Sequence, residues 1–339
     1  MGGAQFLDEP ARGFALALAD YWNAHVEDWA SARDTRIARE SGVDAHYVRI
    51  APLPSGEFGA SLRLVLPIKN LTRDPDLPAA EQIGTDFLQL VRFGLRRADD
   101  PLVRASVKTV DRFLKADTPN GPAWRRYTCD GYGEDADGNP FDGTGQGRPW
   151  PLLTGERGHF ELAAGVDPLP YLEAMAAMAG NGGLLPEQVW DRAPIPERNL
   201  YPGKPTGSAM PLVWAHAEFI KLVASRALGR PFDALQVVRE RYRGQCCAAG
   251  QVFWGQRLPA GTVMAGQALS VCLPALATVR WGVDGWRTVA DTPTRDSGLG
   301  VQVADLPVGN LSAGQHVDFT FRWSVPERWE GQDFRVDIV

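Results

Sequence analysis

Apolar residues recur every three or four positions up to about residue 242 and every second position beyond about residue 246, so the pattern predicts a helical region followed by a β region. A first helix places Phe14, Leu18, Trp22, Val26 and Trp29 on one face, with Pro10 suited to its first turn. A second is expected near Phe87 to Arg97. Asp100-Pro101 supplies an N-cap and a first-turn proline for a third, in which Val103, Val107, Val110 and Leu114 stand in register. The short link between these two predicts an antiparallel helical hairpin. Helical signal returns from Gly155 to Ala164 and from Pro168 to Ala179, where Gly180-Asn181-Gly182-Gly183 stops it. The last helix is expected to start at Ser208 as its N-cap. It is apolar nearly all round, through Met210, Leu212, Val213, Trp214, Phe219, Ile220 and Leu222, which predicts burial on most sides and places Trp214 in the core.

Between the helices lie two stretches too long for ordinary connections, Asp117 to Pro151 and Leu184 to Thr206, both dense in Gly, Pro, Asp and Asn. Loops of that length are usually functional or disordered. Beyond Gln245 the runs Val279, Trp281, Val283, then Val317, Phe319, Phe321, Trp323, then Phe334, Val336, Ile338 alternate between turn residues, which predicts a small antiparallel β domain, a sandwich. Two domains follow, 1–242 and 246–339.

A formal charge of −6 over 339 residues argues against nucleic acid as a partner, because such binding rests on concentrated Lys and Arg, and no apolar run reaches membrane-spanning length. Met1 to Pro10 lacks the basic and apolar regions of a signal peptide, and localisation stays open. Cys129, Cys246, Cys247 and Cys272 show neither zinc nor redox spacing and do not form a disulfide framework. The histidines at 25, 46, 159, 216 and 316 are scattered, so no metal ligand and no cofactor is expected. Asp135, Asp137, Asn139 and Asp142 imitate a calcium loop, but Pro140 occupies the place of its glycine turn, and a Gly/Asp turn is the better reading.

Gly42-Val-Asp-Ala-His-Tyr-Val-Arg-Ile-Ala-Pro52, Asp130-Gly-Tyr-Gly-Glu134, Trp150-Pro-Leu-Leu-Thr-Gly-Glu-Arg-Gly-His159, Leu184-Leu-Pro-Glu-Gln-Val-Trp-Asp191 and Pro205-Thr-Gly-Ser-Ala-Met-Pro-Leu-Val-Trp214 resemble, in order, bacterial members of glycoside hydrolase family fifteen, the glucoamylases and glucodextranases. The resemblance implies an (α/α)6 toroid, of which 1–242 would be the C-terminal half, so the fold class is mainly α with an incomplete toroid before the β domain. It also implies an inverting exo-glucosidase that releases β-glucose from the non-reducing ends of α-glucans. Inversion divides labour between a protonated carboxyl and an ionised one.

The base of the family falls on Glu187; without the resemblance, a lone loop glutamate reads as a solvated charge. The acid belongs to an upstream stretch absent here, which implies a truncated chain whose partner is the missing N-terminal half of the same enzyme. Arg126 resembles the arginine that binds sugar hydroxyls, against a plain surface ion pair. Glu134, Trp150 and Trp190 are expected to line the cleft, against simple packing, and Ser208 resembles the serine that hydrogen-bonds the base. Trp281, Trp286, Trp323 and Trp329 read first as β-domain packing and second as a sugar-stacking platform. Competing readings are an inactive carbohydrate-binding remnant, and a family member acting on dextran or trehalose.

Overall fold

The structure is a computed structural model and describes residues 2–52, 61–244 and 249–339; Cys246 and Cys247 lie outside the described residues. In chain order the helical part holds α1 (Ala11–Ala30), β1 (Ser31–Arg33), α2 (Arg36–Ser41), β2 (Ala45–Tyr47), α3 (Leu88–Arg92), α4 (Pro101–Phe113), β3 (Lys115–Thr118), β4 (Gly121–Trp124), α5 (Pro151–Ala163), α6 (Leu169–Met178), α7 (Val213–Leu228) and α8 (Gln236–Tyr242). The strands that follow are β5 (Gln251–Gly255), β6 (Thr262–Val263), β7 (Ala268–Leu273), β8 (Ala277–Gly282), β9 (Ala290–Pro293), β10 (Arg295–Asp296), β11 (Gln302–Leu306), β12 (His316–Ser324), β13 (Glu327–Trp329) and β14 (Phe334–Ile338). Among the described residues no helix is long and apolar enough to cross a membrane.

The described residues divide into two compact units, 2–26 with 249–339, and 27–52 with 61–244. The sequence reading put all of 1–242 in one helical domain, yet α1 up to Val26 is grouped with the strands. Phe14 and Tyr21 set their rings edge-on to Phe253 of β5, at 5.7 and 5.6 Å between centroids. The face that packs is therefore the one bearing Phe14 and Tyr21, and Trp22, expected to share it, is 52% exposed.

In the strand-bearing unit one sheet runs β10-β11-β7-β5 and the other β6-β14-β12-β8-β9, with β13 added to β12. Trp254 of β5 packs against Phe319 of β12 at 4.9 Å, and Phe321 stacks on Phe334 at 5.6 Å, so aromatic rings fill the space between the sheets. The expectation of a purely antiparallel domain is corrected at two pairings, β5 with β7 and β6 with β14, which are parallel. Leaving β5 for β6 in the other sheet and returning to β7 is a crossover, and a crossover makes its flanking strands parallel.

In the helical unit α4 starts where the sequence places it, with Asp100 accepting the amides of Leu102 and Val103 at 2.9 and 3.1 Å. Helix α3 is far shorter than expected: Gly94, at φ +80°, turns the chain after Phe93. The last long helix begins at Val213, not Ser208, because a residue before proline is pushed out of the helical region and Met210 precedes Pro211. Nor is it buried on most sides. Only Ala215, Glu218, Leu222 and Ser225 are buried, while Val213, Trp214 and Ile220 are 77%, 57% and 66% exposed, so the expectation that Trp214 is core is overturned.

Helices α3, α5 and α7 meet at a buried ionic cluster. Arg92 donates to both oxygens of Glu218 at 2.8 and 3.2 Å and to Asp233 at 3.0 and 2.8 Å. His159 lies 2.8 Å from Glu218, and Lys221 lies 3.3 and 3.2 Å from Glu218 and Asp233. Although burial disfavours its charge, the Glu218 carboxyl is held below the usual range by His159 and Arg92. Neighbouring Glu156 makes no ion-pair contact among the described residues: desolvation, then the Glu218 carboxylate, push it up to about 7 against the weaker pull of Arg92 and Lys221.

Candidate active site

The two long loops are built on short backbone ladders. Chain leaving β4 at Arg125 returns at Trp150, whose amide donates to the Trp124 carbonyl at 2.8 Å before Pro151 opens α5. In the second loop the Glu187 amide donates to Ala209 at 2.8 Å, Thr206 to the Gln188 carbonyl at 3.2 Å and Trp190 to Lys204 at 2.9 Å. Val189 reaches across to Pro149 at 2.9 Å, which joins the loops. Glu187 is thus held on a fixed backbone although it lies outside regular structure.

Glycine makes the first loop compact. A Cβ on Gly133 would meet the Arg148 nitrogen at 2.9 Å, and one on Gly147 would meet Asp130 Cγ at 2.6 Å. Backbone runs against backbone here, as only glycine permits. Within the loop Asp135 accepts the amides of Asp137 and Asn139 at 2.9 and 2.8 Å, with Gly138 at φ +74°, an Asx turn where the acidic run imitates a calcium loop.

Arg126, Tyr132, Trp150 and Glu187 are brought together. Tyr132 Oη donates to Glu187 Oε2 at 3.3 Å. The Arg126 guanidinium carbon lies 5.0 Å from the ring centroids of both Tyr132 and Trp150, a cation over two aromatic faces. Its fork is spent on Asp130, through Nε and Nη2 at 2.7 and 2.8 Å. Burial works against the charge of Arg126, but the bonds to Asp130 outweigh it and hold its pKa above the ordinary value. Tyr132 is raised by burial and then by the Glu187 carboxylate, which favours the protonated phenol that donates to Glu187.

Glu134 is 7% exposed and accepts the Gly207 amide on Oε1 at 2.8 Å, while its Oε2 and the Nε1 of Trp150 are buried without a partner among the described residues. Ser208 Oγ accepts the amide of Gln188 at 3.0 Å and the hydroxyl of Thr206 at 3.0 Å, so it fixes the backbone beside Glu187. Trp190 is wholly buried: its indole donates to the Ala193 carbonyl at 2.7 Å, and the Arg148 guanidinium lies 4.3 Å from its ring. Its ring supports the loop from within.

Several groups escaped the sequence reading. Asp191 pairs with both Arg148 and Arg125, Arg148 donates to the carbonyls of Glu134 and Asp135, and Asn70 donates to Asp130 at 2.7 Å from a distant segment. Tyr132 lay inside the quoted Asp-Gly-Tyr-Gly segment without being singled out. Its neighbours at 126 and 134 were the available signal.

With this geometry established, residues 79–224 match the family described as Glycosyl hydrolases family 15. The chain is 39% identical over 227 residues to a glucoamylase of Clostridium sp. (strain G0005), a match covering 66% of this chain and 30% of that enzyme. A crystal structure of a bacterial glucoamylase complexed with acarbose superposes with a TM-score of 0.60 at 37% identity, over 71% of this chain and 33% of that one. A cycloisomaltooligosaccharide glucanotransferase of Niallia circulans is 37% identical over 71 residues, covering 18% of this chain and 7% of that enzyme. The chain thus spans about a third or less of the length of the relatives it matches.

Proposed function

For a chain that carries a segment of glycosyl hydrolases family 15 and is 37% and 39% identical to bacterial glucoamylases, we propose a role as the base-bearing part of an inverting exo-glucosidase that releases β-glucose from the non-reducing ends of α-glucans. Glu187 is the ionised carboxyl that takes a proton from the attacking water. Tyr132 orients it, and Arg126 with Trp150 forms the wall against which the terminal sugar rests. Glu134 Oε2 and Trp150 Nε1, buried and unpartnered among the described residues, have the most to gain from sugar hydroxyls, since an unmet buried polar group is costly. Ser208 keeps the Glu187 backbone in place, and Trp190 braces the loop.

The acid that protonates the leaving group is assigned to a segment outside this chain, and the helical unit is read as half of an (α/α)6 toroid. What supports this is the short span relative to both glucoamylases and the open apolar face of α7 at Val213, Trp214 and Ile220. The partner implied is the remaining length of such an enzyme.

The observation that carries the reading is the Tyr132–Glu187 hydrogen bond beside Arg126 and Trp150. Fusing or co-expressing the missing length should yield β-glucose from maltooligosaccharides, followed by polarimetry. In that reconstituted enzyme Glu187→Gln should lower turnover roughly a hundred- to ten-thousandfold, the usual worth of general-base assistance. Glucosyl fluoride, whose fluoride ion departs without general-acid protonation, isolates the base. Equal turnover of it by Glu187→Gln and its parent would remove Glu187 from the site.

A further inference from the structure

The strand-bearing unit has a groove of its own, of 660 Å³, lined by Arg280, Trp286, Thr320, Trp329, Gln332 and Asp333. We infer that this groove is a second sugar site, which stacks a glucan ring on Trp286 and Trp329 and bonds its hydroxyls through Arg280, Gln332 and Asp333. The inference rests on the proposed glucan chemistry only for its choice of ligand.

Strand register builds the floor. Arg280 of β8 faces Thr320 of β12, and Arg322 of β12 faces Trp329 of β13, so these side chains share the outer face of the sheet, opposite the aromatic core of Phe319 and Phe321. Arg280 is steadied by Asp291 through Nε and Nη2, at 2.8 and 2.6 Å, and its guanidinium carbon lies 5.3 Å from the Trp329 ring. Trp329 is 45% exposed. Thr320 Oγ1 donates to the Gln332 carbonyl at 2.8 Å and pins the segment that carries Gln332 and Asp333 beside it. The other wall, Trp286, sits in the β8–β9 loop at φ +69°, a conformation rare for a bulky side chain, and Asp284 fixes that loop by accepting the Thr288 amide at 2.9 Å.

The tryptophans of strands β5, β8 and β12 are committed elsewhere. Trp254 and Trp323 are buried, Trp323 donates to Glu330 at 2.8 Å, and Trp281 donates to Thr292 at 3.0 Å. For Trp286 and Trp329 no hydrogen bond among the described residues ties the indole inward. A flat apolar face beside an acceptor carboxylate, a side-chain amide and a guanidinium matches the alternating C–H and hydroxyl surface of a pyranose. It suits no polyanion, because Asp333 stands in the groove and Arg280 is already paired.

The test is affinity electrophoresis of the full chain in gels containing soluble starch. Starch should retard the wild type. Trp329→Ala and Trp286→Ala should each weaken the apparent affinity roughly thirtyfold, as loss of an aromatic anchor does, with Trp329→Phe in between and Trp22→Ala, an exposed tryptophan of α1 outside the groove, unchanged. Because Trp329 is half exposed, its truncation leaves the core intact, and unfolding curves overlaid on wild type check this. Absence of retardation in the wild type would overturn the site. So would retardation lost in Arg126→Ala and kept in Trp329→Ala, which would leave the function proposed for the helical unit standing. The glucosyl fluoride experiment bears on Glu187 alone, so the two proposals fail separately.

Discussion

Glu187 and Glu218 both stand beside arginines in the helical unit, and the two clusters are finished to different degrees. Around Glu218, at 1% exposure, Arg92 closes a fork on both oxygens and His159 adds a contact at 2.8 Å. Among the described residues the Glu187 carboxylate takes one hydrogen bond, from Tyr132 at 3.3 Å, while the nearby Arg126 gives its fork to Asp130 instead. A carboxylate whose lone pairs are all taken can hold helices together but has nothing left for a proton. The open one keeps lone pairs free, as the role proposed for Glu187 requires.

The sharpest way to break this comparison is Arg92→Ala, which leaves Glu218 buried without its main counter-charge. A loss of about 3–5 kcal/mol in denaturant unfolding is expected, whereas Glu187→Gln should fall within about 0.5 kcal/mol of wild type. Similar losses from both would erase the distinction. Next in size, Arg126→Ala in the reconstituted enzyme should lower kcat/KM roughly ten- to hundredfold, the worth of hydrogen bonds to a charged group. An unchanged kcat/KM with a lowered melting point would make Arg126 an ion-pair partner of Asp130 and nothing more.

Glu156 sharpens the comparison through pH. Glu218 and Asp86 raise its pKa, and Arg92 and Lys221 oppose them. With its folded pKa near 7 against an ordinary 4.5, the folded chain holds a proton there that the unfolded chain has released. The resulting stability is complete below the ordinary value and is lost as pH rises through 7. Glu156→Gln should therefore gain about 2 kcal/mol on wild type between about pH 5 and about pH 8, read from paired unfolding curves; a constant offset would count against the buried acid. Smallest of all, Ser208→Ala removes the acceptor of the Gln188 amide and should cost about 1 kcal/mol.

Local signals carried well from sequence to structure. Asp100-Pro101 started α4 as read, because cap and proline act within one turn. What failed depended on distance or on partners outside the element. Ser208 had the chemistry of a cap, but Pro211 delayed the helix; Trp214 had the chemistry of a core residue, but its exposure depends on what lies over α7. Glu187, Arg126 and Trp150 lie close to Tyr132, and the parts played by Tyr132 and Asp130 became visible only when the loop was folded. The cluster of Arg92, Glu218 and Asp233 joins residues more than a hundred positions apart, a separation no periodicity can register.

The glycines packed inside the first loop restrict how the site can vary. At Gly133 and Gly147 any side chain would push against a neighbouring backbone or against Asp130. A saturation library would return glycine at both positions whether selection favoured activity or mere folding. Sequence drift, natural or directed, is therefore channelled toward the side chains facing outward from that scaffold. Substitutions there leave the frame that holds Glu187 intact.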